Sequence, residues 1–243
     1  MVATGIDLDL GIGRHLAVVG PSGIGKSTLL YTLAGMLPPV SGTVTLDGVD
    51  VWGGDRHDVT AQVTMTAEDA HVFATSVLEN LRVARPDLTG DQAVALLGRA
   101  GLGAWLRDLP AGLDTIIGSG GTTVSGGERR RLLLARALAS PAPLLLLDEP
   151  GEHLDPATAD SLMESLLGPE DPSRGVLVVT HRLSALTGAD TVIVLDRPGS
   201  DTTDAGAGAR DTDSPATVVA RGTHAELSAQ RGAYRWAVEQ ETP

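Results

Sequence analysis

Nine consecutive residues, Gly20-Pro21-Ser22-Gly23-Ile24-Gly25-Lys26-Ser27-Thr28, fit the pattern G-x-x-x-x-G-K-[ST], whose structural context is a turn leading from a buried strand into a helix. The flanks supply both. His15 to Val19 reads as the strand, and Leu29 to Leu33 as the helix. Glycines let such a loop wrap closely, so that backbone N–H groups and the helix N-terminus point at phosphate oxygens. Lys26 supplies a point charge to the outer phosphates, and the Ser27 hydroxyl suits Mg²⁺. A glycine-rich turn matching by chance would lack this strand and helix. The segment therefore reads as a nucleoside triphosphate site.

A second run of chemistry lies far downstream. Leu144 to Leu147 is continuously apolar and closes on Asp148 and Glu149, with Pro141 and Pro143 before it and Pro150 after. That is the pattern of a fully buried parallel strand ending in two carboxylates. In P-loop proteins an Asp at this place holds Mg²⁺, and a following Glu orients the attacking water. Val176 to Val179 reads as another buried strand, closed by Thr180 and His181. A histidine at a strand end is more often structural, but this one lies at the carboxyl edge of a parallel sheet, where ligands bind.

Composition narrows the remaining classes. A chain of 243 residues, 42% hydrophobic, buries a proper core as one large domain or as a core with a subdomain. With only 2% aromatics, that core rests on Leu, Val, Ala and Ile. The absence of cysteine excludes disulfides and thiolate chemistry and agrees with a cytosolic setting. No apolar run approaches the roughly 18 residues that cross a bilayer. Met1 to Leu10, with Asp7 and Asp9, lacks the basic start of a signal peptide. Any membrane role would then come through a partner or another part of the polypeptide. A net charge of −13 argues against nucleic acid as a partner. The basic cluster Arg129-Arg130-Arg131 reads as a solvated or interface face of an amphipathic helix.

Val124-Ser125-Gly126-Gly127-Glu128 opens a helix expected to run to about Ala139, and Ser125 with Glu128 fits a capping box. The same segment resembles the L-S-G-G-Q signature of ATP-binding cassette (ABC) ATPases, and the resemblance covers nearly the whole chain. It implies an α/β fold of the ABC ATPase type: a P-loop NTPase (RecA-like) core with an antiparallel β portion and a helical subdomain. The implied cofactors are ATP and Mg²⁺. Glu149 then matches the catalytic glutamate and His181 the switch histidine that contacts the γ-phosphate. Ser125, Gly126, Gly127 and Glu128 would face the nucleotide of a partner cassette. Gly151 to Asp155 occupies the D-loop position; Asp155 and Pro156 also read simply as a helix N-cap and N1.

The segment Glu68-Asp69-Ala70-His71-Val72-Phe73, followed by Val77-Leu78-Glu79-Asn80-Leu81, resembles the Q-loop stretch of exporter cassettes, as Leu109 to Thr115 resembles the stretch before their signature. Together with the Val-Ser-Gly-Gly-Glu and Gly-Glu-His-Leu-Asp elements, it looks like the cassette of the C-type subunit of the actinobacterial thiol-reductant (cysteine/glutathione) exporters. That implies transmembrane domains as partners, fused upstream or separate, a second cassette of the D type, and a place on the cytoplasmic face of the membrane. Three departures stand out. Glu68 replaces the Q-loop glutamine and becomes a further Mg²⁺ candidate, Ser119 replaces a frequent glutamate, and no aromatic ring precedes Tyr31 to stack on adenine. The missing ring, and Thr4 to Leu10 read as a mid-domain strand, lead to the expectation that the chain is part of a longer polypeptide. Glu68 and the altered D-loop also leave an alternative function, a nucleotide-gated regulatory module with degenerate hydrolysis.

The expected organisation is a single cassette over 1–243. First strands and the P-loop helix extend to about Val63, a mainly helical subdomain covers about 75–139, and core strands lie at Leu144–Asp148, Val176–Thr180 and Thr191–Asp196. Residues from about 197 to 216, rich in Gly, Asp, Ser, Thr and Ala, read as a flexible acidic insertion between two strands. Thr89 with Gln92, and Thr223 with Glu226, read as further helix starts, and Tyr234 and Trp236 as residues packing a C-terminal helix onto the core.

Overall fold

All five residues of β1 (His15–Val19) are buried, the burial pattern of a strand covered on both faces of a parallel sheet. In the computed structural model, which describes residues 3–66, 70–118, 124–152, 154–168, 172–197, 214–230 and 232–241, β1 lies between β6 (Gly175–Val179) and β7 (Thr191–Asp196), parallel to both. β5 (Leu144–Asp148) pairs outside β6, and β4 (Val63–Met65) outside β5. At the other edge β8 (Thr217–Gly222) runs antiparallel to β7, giving the order β4-β5-β6-β1-β7-β8. A separate hairpin joins β2 (Thr45–Leu46) to β3 (Val49–Asp50). Its turn places Asp47 at φ 51° and Gly48 at φ 81°, the two positive values that a tight hairpin requires.

Side chains alternate across the sheet and divide the interior into two apolar layers. Leu16, Val18, Leu146, Leu177 and Ile193 pack on one face with Leu30 of α1 (Lys26–Leu33). On the other, Ala17, Val19, Leu145, Leu147 and Val178 meet α3 (Val77–Arg82), α4 (Gly90–Arg99), α6 (Gly126–Ala139) and α7 (Pro156–Leu167). In chain order α2 (Arg56–Gln62), started by the Asp55 carboxylate on His57 N, precedes α3, and α5 (Gly103–Asp108) follows α4. Thr89 with Gln92 forms a complete capping box at the start of α4.

Asn80 ties the segment before α3 to α6. Fully buried, it accepts from Phe73 N (2.9 Å) and from the Arg136 guanidinium (2.8 Å), and donates to Phe73 O and Ser76 O (both 3.0 Å). Asn80→Leu would leave these partners unsatisfied inside the core, so the substitution is expected to cost about 3 kcal/mol in urea unfolding.

The chain closes with α8 (His224–Ala229), capped by Thr223 and Glu226, and α9 (Ala233–Glu241). Tyr234 is buried, as its sequence position suggested, but Trp236 is 63% exposed. Positions i and i+2 of a helix lie about 200° apart, so the face that buries Tyr234 turns Trp236 outward. Thr4 to Leu10 is also not a strand. Ile6, Leu8 and Leu10 turn towards the core in alternation, but the backbone forms no ladder: it meets the sheet through the Ala3–Ala216 bridge, Thr4 N donating to Ala216 O (2.7 Å) and the Arg221 guanidinium donating to Asp7 O (3.0 Å). The arginine cluster of α6, read from sequence as a solvated or interface face, is less open than a fully solvated one. Arg129, Arg130 and Arg131 are all partly buried, Arg129 donating to Ala70 O and Arg130 pairing with Glu152. Most of the insertion expected over about 197–216 lies outside the described residues. The strands on either side of it pair from Asp196–Thr217 onward.

Candidate functional site

Strands β1, β6 and β5 are neighbours and point the same way, so the residues that follow them emerge together at the carboxyl edge of the sheet. That edge is where open parallel sheets bind ligands. After β1 comes Gly20, where an added Cβ would stand 2.4 Å from the Leu195 carbonyl oxygen of β7. Only glycine lets the loop leave the sheet there. Ile24 is 3% exposed and anchors the loop in the layer beneath, while Gly25 takes a left-handed conformation (φ 108°) and caps α1. Lys26 begins that helix. Its ammonium donates to Gly20 O (2.8 Å) and Pro21 O (3.1 Å), which leaves one of three donors to point elsewhere. Burial pushes the Lys26 pKa down, against the opposing pull of Glu149 and Asp148. Ser27 and Thr28 are exposed on the first turn of the helix.

Asp148 ends β5, its backbone N–H held by the Thr66 hydroxyl at 2.9 Å. Glu149 follows in a left-handed conformation (φ 45°), a cost that a non-glycine residue bears where its surroundings over-determine it. Here they do: Glu149 N donates to Val179 O (2.9 Å), and Glu149 Oε2 accepts from His181 N (3.2 Å) and lies 3.0 Å from His181 Nδ1. The Glu149 side chain is 20% exposed and that of His181 60%, so the pair sits at the rim with the ring turned to solvent.

The structure thus brings the loop from Gly20 to Thr28 together with Asp148, Glu149 and His181 at one sheet edge. It does not bring Ser125 to Glu128 into that cluster. Ser125 caps α6 in a reciprocal box, accepting from Glu128 N (3.3 Å) while Glu128 Oε2 accepts from Ser125 N (2.8 Å). A Cβ built on Gly126 or Gly127 meets no atom within 4 Å. Asp155 caps α7 through Thr158 N (3.0 Å), and hydrogen bonds from the Thr158 hydroxyl first and its backbone N–H second hold its carboxyl below the usual range. Glu68, Ser119 and His153 lie outside the described residues.

Sequence reasoning passed over Thr66, which orients the acidic strand end from 82 positions away, and the Arg130–Glu152 pair. Both line a small cavity beside Asp148, Glu149 and Pro150. No spacing rule points to either. The oxygen donors present suit a hard cation: the Ser27 hydroxyl and the Asp148 carboxylate would hold Mg²⁺, with phosphate oxygens and waters completing its shell. Among the described residues no group of three or more His, Cys, Asp or Glu side chains is placed to hold a metal alone.

Residues 3–152 match the family model described as ABC transporter. The chain belongs to the ABC transporter family. The matched region is that family's ATP-binding domain, and the cassette is an ATPase. It is 36% identical over 230 residues to the glutathione/L-cysteine transport system ATP-binding/permease protein CydC of Escherichia coli, covering 95% of this chain and 36% of the relative. It is also 36% identical over 239 residues to the mycobactin import ATP-binding/permease protein IrtB of Mycolicibacterium thermoresistibile, covering 98% and 40%. The ATP-dependent lipid A-core flippase of Neisseria meningitidis is 33% identical over 230 residues, covering 95% and 34%. A bacterial Atm1-family ABC exporter solved with ATP bound superposes with TM-score 0.81 at 26% identity, over all of this chain and 39% of that one. The cassette therefore spans little more than a third of these relatives. No helix among its described residues is long and apolar enough to cross a membrane.

Proposed function

We propose that the cassette hydrolyses ATP in a sandwich with a second cassette and so drives transport through membrane domains carried upstream in the same polypeptide or by a separate subunit. The observation that carries this reading is the convergence of the phosphate loop, Asp148, Glu149 and His181 on one sheet edge. In the proposed mechanism the loop amides from Gly20 to Thr28 and the free donor of Lys26 grip the phosphates, orienting the γ-phosphate. Ser27 and Asp148, with Glu68 as a further candidate, hold Mg²⁺, which offsets charge on the phosphate oxygens when bound. Glu149 polarises the attacking water, and His181, hydrogen-bonded to it, senses the γ-phosphate.

The open space around Gly126 and Gly127 supports the two-chain reading, because no atom of the described residues comes within 4 Å of a Cβ added at either position. With no side chain at Gly126 or Gly127, the first turn of α6 is open for an anion to approach from outside, beside the Ser125–Glu128 capping box. Asp155, on the exposed turn before α7, is proposed to lie at the same junction. Gly126→Ala tests this directly. Alanine is the better helix former, so the isolated cassette is expected to melt at the same temperature or slightly higher. Turnover in the assembled dimer is expected to fall about tenfold or more. A mutant that turns over normally would remove the partner-facing role, and turnover per molecule that stays constant on dilution would remove the sandwich.

For the cargo we propose a small thiol, cysteine or glutathione, with a D-type subunit as the second cassette and the cytoplasmic face of the membrane as the location. This rests on the Q-loop, signature and D-loop pattern and on the likeness to the CydC protein. The mycobactin importer and the lipid A-core flippase provide the alternatives to test against. Stimulation of the reconstituted transporter's ATPase by cysteine or glutathione, and not by siderophore or lipid A, is the expected result. The reverse pattern would overturn it.

A further inference from the structure

The backbone donors around His181 can be accounted for one by one. Thr180 N donates to Val18 O (3.1 Å), His181 N to Glu149 Oε2 (3.2 Å), and Arg182 N to the Thr180 hydroxyl (3.0 Å). The next two, Leu183 N and Ser184 N, converge on a single atom, Oε2 of Glu241, at 2.7 and 3.0 Å. Glu241 ends α9, the C-terminal helix. Its placement follows from that helix's inward face. Tyr234, Ala237 and Val238 pack on the core, and Glu241 continues the same stripe at i, i+3, i+4 and i+7. The Tyr234 hydroxyl, 2.9 Å from His224 Nδ1, fastens α9 to α8.

A carboxylate in the last turn faces the negative end of the helix dipole, so α9 itself gains nothing from Glu241 there. The two amides are what favour it. A second tether reaches the same turn from α7, where Asp160 Oδ1 accepts from the Arg182 guanidinium at 2.8 Å. The turn after β6 is thus fixed on one side by Glu149, on another by Asp160, and at its far end by a residue contributed from the C-terminus.

We infer that α9 is a latch on the His181 turn, with Glu241 acting as a positioning residue that sets the His181 ring against Glu149 through the backbone of residues 182–184. This rests on the reading of His181 as the group that faces the γ-phosphate. Glu241 touches neither nucleotide nor water in this scheme. It shapes the reaction by holding the histidine in register.

The test compares wild type, Glu241→Ala and Glu241→Gln, each also in a His181→Ala background, by amide exchange, imidazole NMR and steady-state ATPase kinetics. In Glu241→Ala the Leu183 and Ser184 amides are expected to exchange at least about tenfold faster, and the His181 ring resonances to shift. The kcat should fall about five- to twentyfold with KM for ATP within about twofold, since geometry is lost and nucleotide contacts are not. Glu241→Gln, which keeps an acceptor oxygen without the charge, should fall between. In the His181→Ala background the further loss from Glu241→Ala should vanish. Unchanged exchange and ring resonances would overturn the latch, as would an equal kcat loss in both backgrounds. If His181→Ala alone leaves kcat intact, the role of the histidine fails, while the exchange and NMR data still decide whether the latch exists.

Discussion

Replacing Glu149 with glutamine is expected to reduce kcat for ATP hydrolysis by about a thousandfold while leaving ATP affinity within a fewfold of wild type. The two side chains are nearly the same shape. The amide oxygen of the substituted side chain can still accept from His181 N, so the left-handed backbone at this position and the packing beneath it should survive. What is lost is the negative charge and the basicity that would draw a proton from the attacking water. General-base contributions run at about 10²–10⁴ in rate, and the site offers no second carboxylate in the same relation to His181 among the described residues. The variant should therefore bind ATP and accumulate as the ATP-bound dimer, visible as a doubling of mass by light scattering. Thermal unfolding within about 1 kcal/mol of wild type would show that the loss is chemical. Turnover at the wild-type rate would remove Glu149 from the mechanism.

Lys26→Ala should act at the preceding step. Lys26 closes the loop on its own carbonyls at Gly20 and Pro21 and keeps a donor for phosphate. Charge-assisted hydrogen bonds are worth about 1.5–3 kcal/mol each, so affinity for ATP is expected to drop roughly 10²-fold. Saturating nucleotide at about 100 Kd stabilises a one-site protein by about 2.7 kcal/mol. At the same concentration the variant should lose most of that shift in melting temperature. The unliganded protein should behave differently. Burial already costs the ammonium part of its hydration, so removing it is expected to leave the melting temperature without nucleotide close to wild type. Titration of nucleotide against melting temperature separates the two. A full ligand-induced shift in Lys26→Ala would mean that the phosphates are held elsewhere.

The parts of this molecule that were legible in the sequence share a property: their physics is local. The loop from Gly20 to Thr28, the apolar run closing on Asp148 and Glu149, and the capping boxes at Ser125, Thr89 and Thr223 each carry their signal within a few residues. Asp47-Gly48 belongs to this class too, as a short-range hairpin signal that went unread, and so does Asp55 ahead of α2. The Thr4–Leu10 alternation is a local signal that misled, because burial alternates there without a ladder to pair with. Trp236 misled for the opposite reason, since its neighbourhood in sequence says nothing about which side of α9 meets the core. Thr66 on Asp148, Glu152 on Arg130 and Glu241 on Leu183 were invisible. Each joins residues far apart in the chain, and a lone Thr or Glu carries no mark of the partner it will meet.

The sheet also acts as a partition. Residues that seat the phosphate loop, such as Ile24 and Leu30, belong to one apolar compartment, while the helix opened by Gly126 and Gly127 belongs to the other. A repacking of Leu132 or Leu97 therefore loosens the helical layer without reaching Lys26. The layer that seats the phosphate loop is thus kept apart, by the thickness of the sheet, from the layer built on α3, α4, α6 and α7.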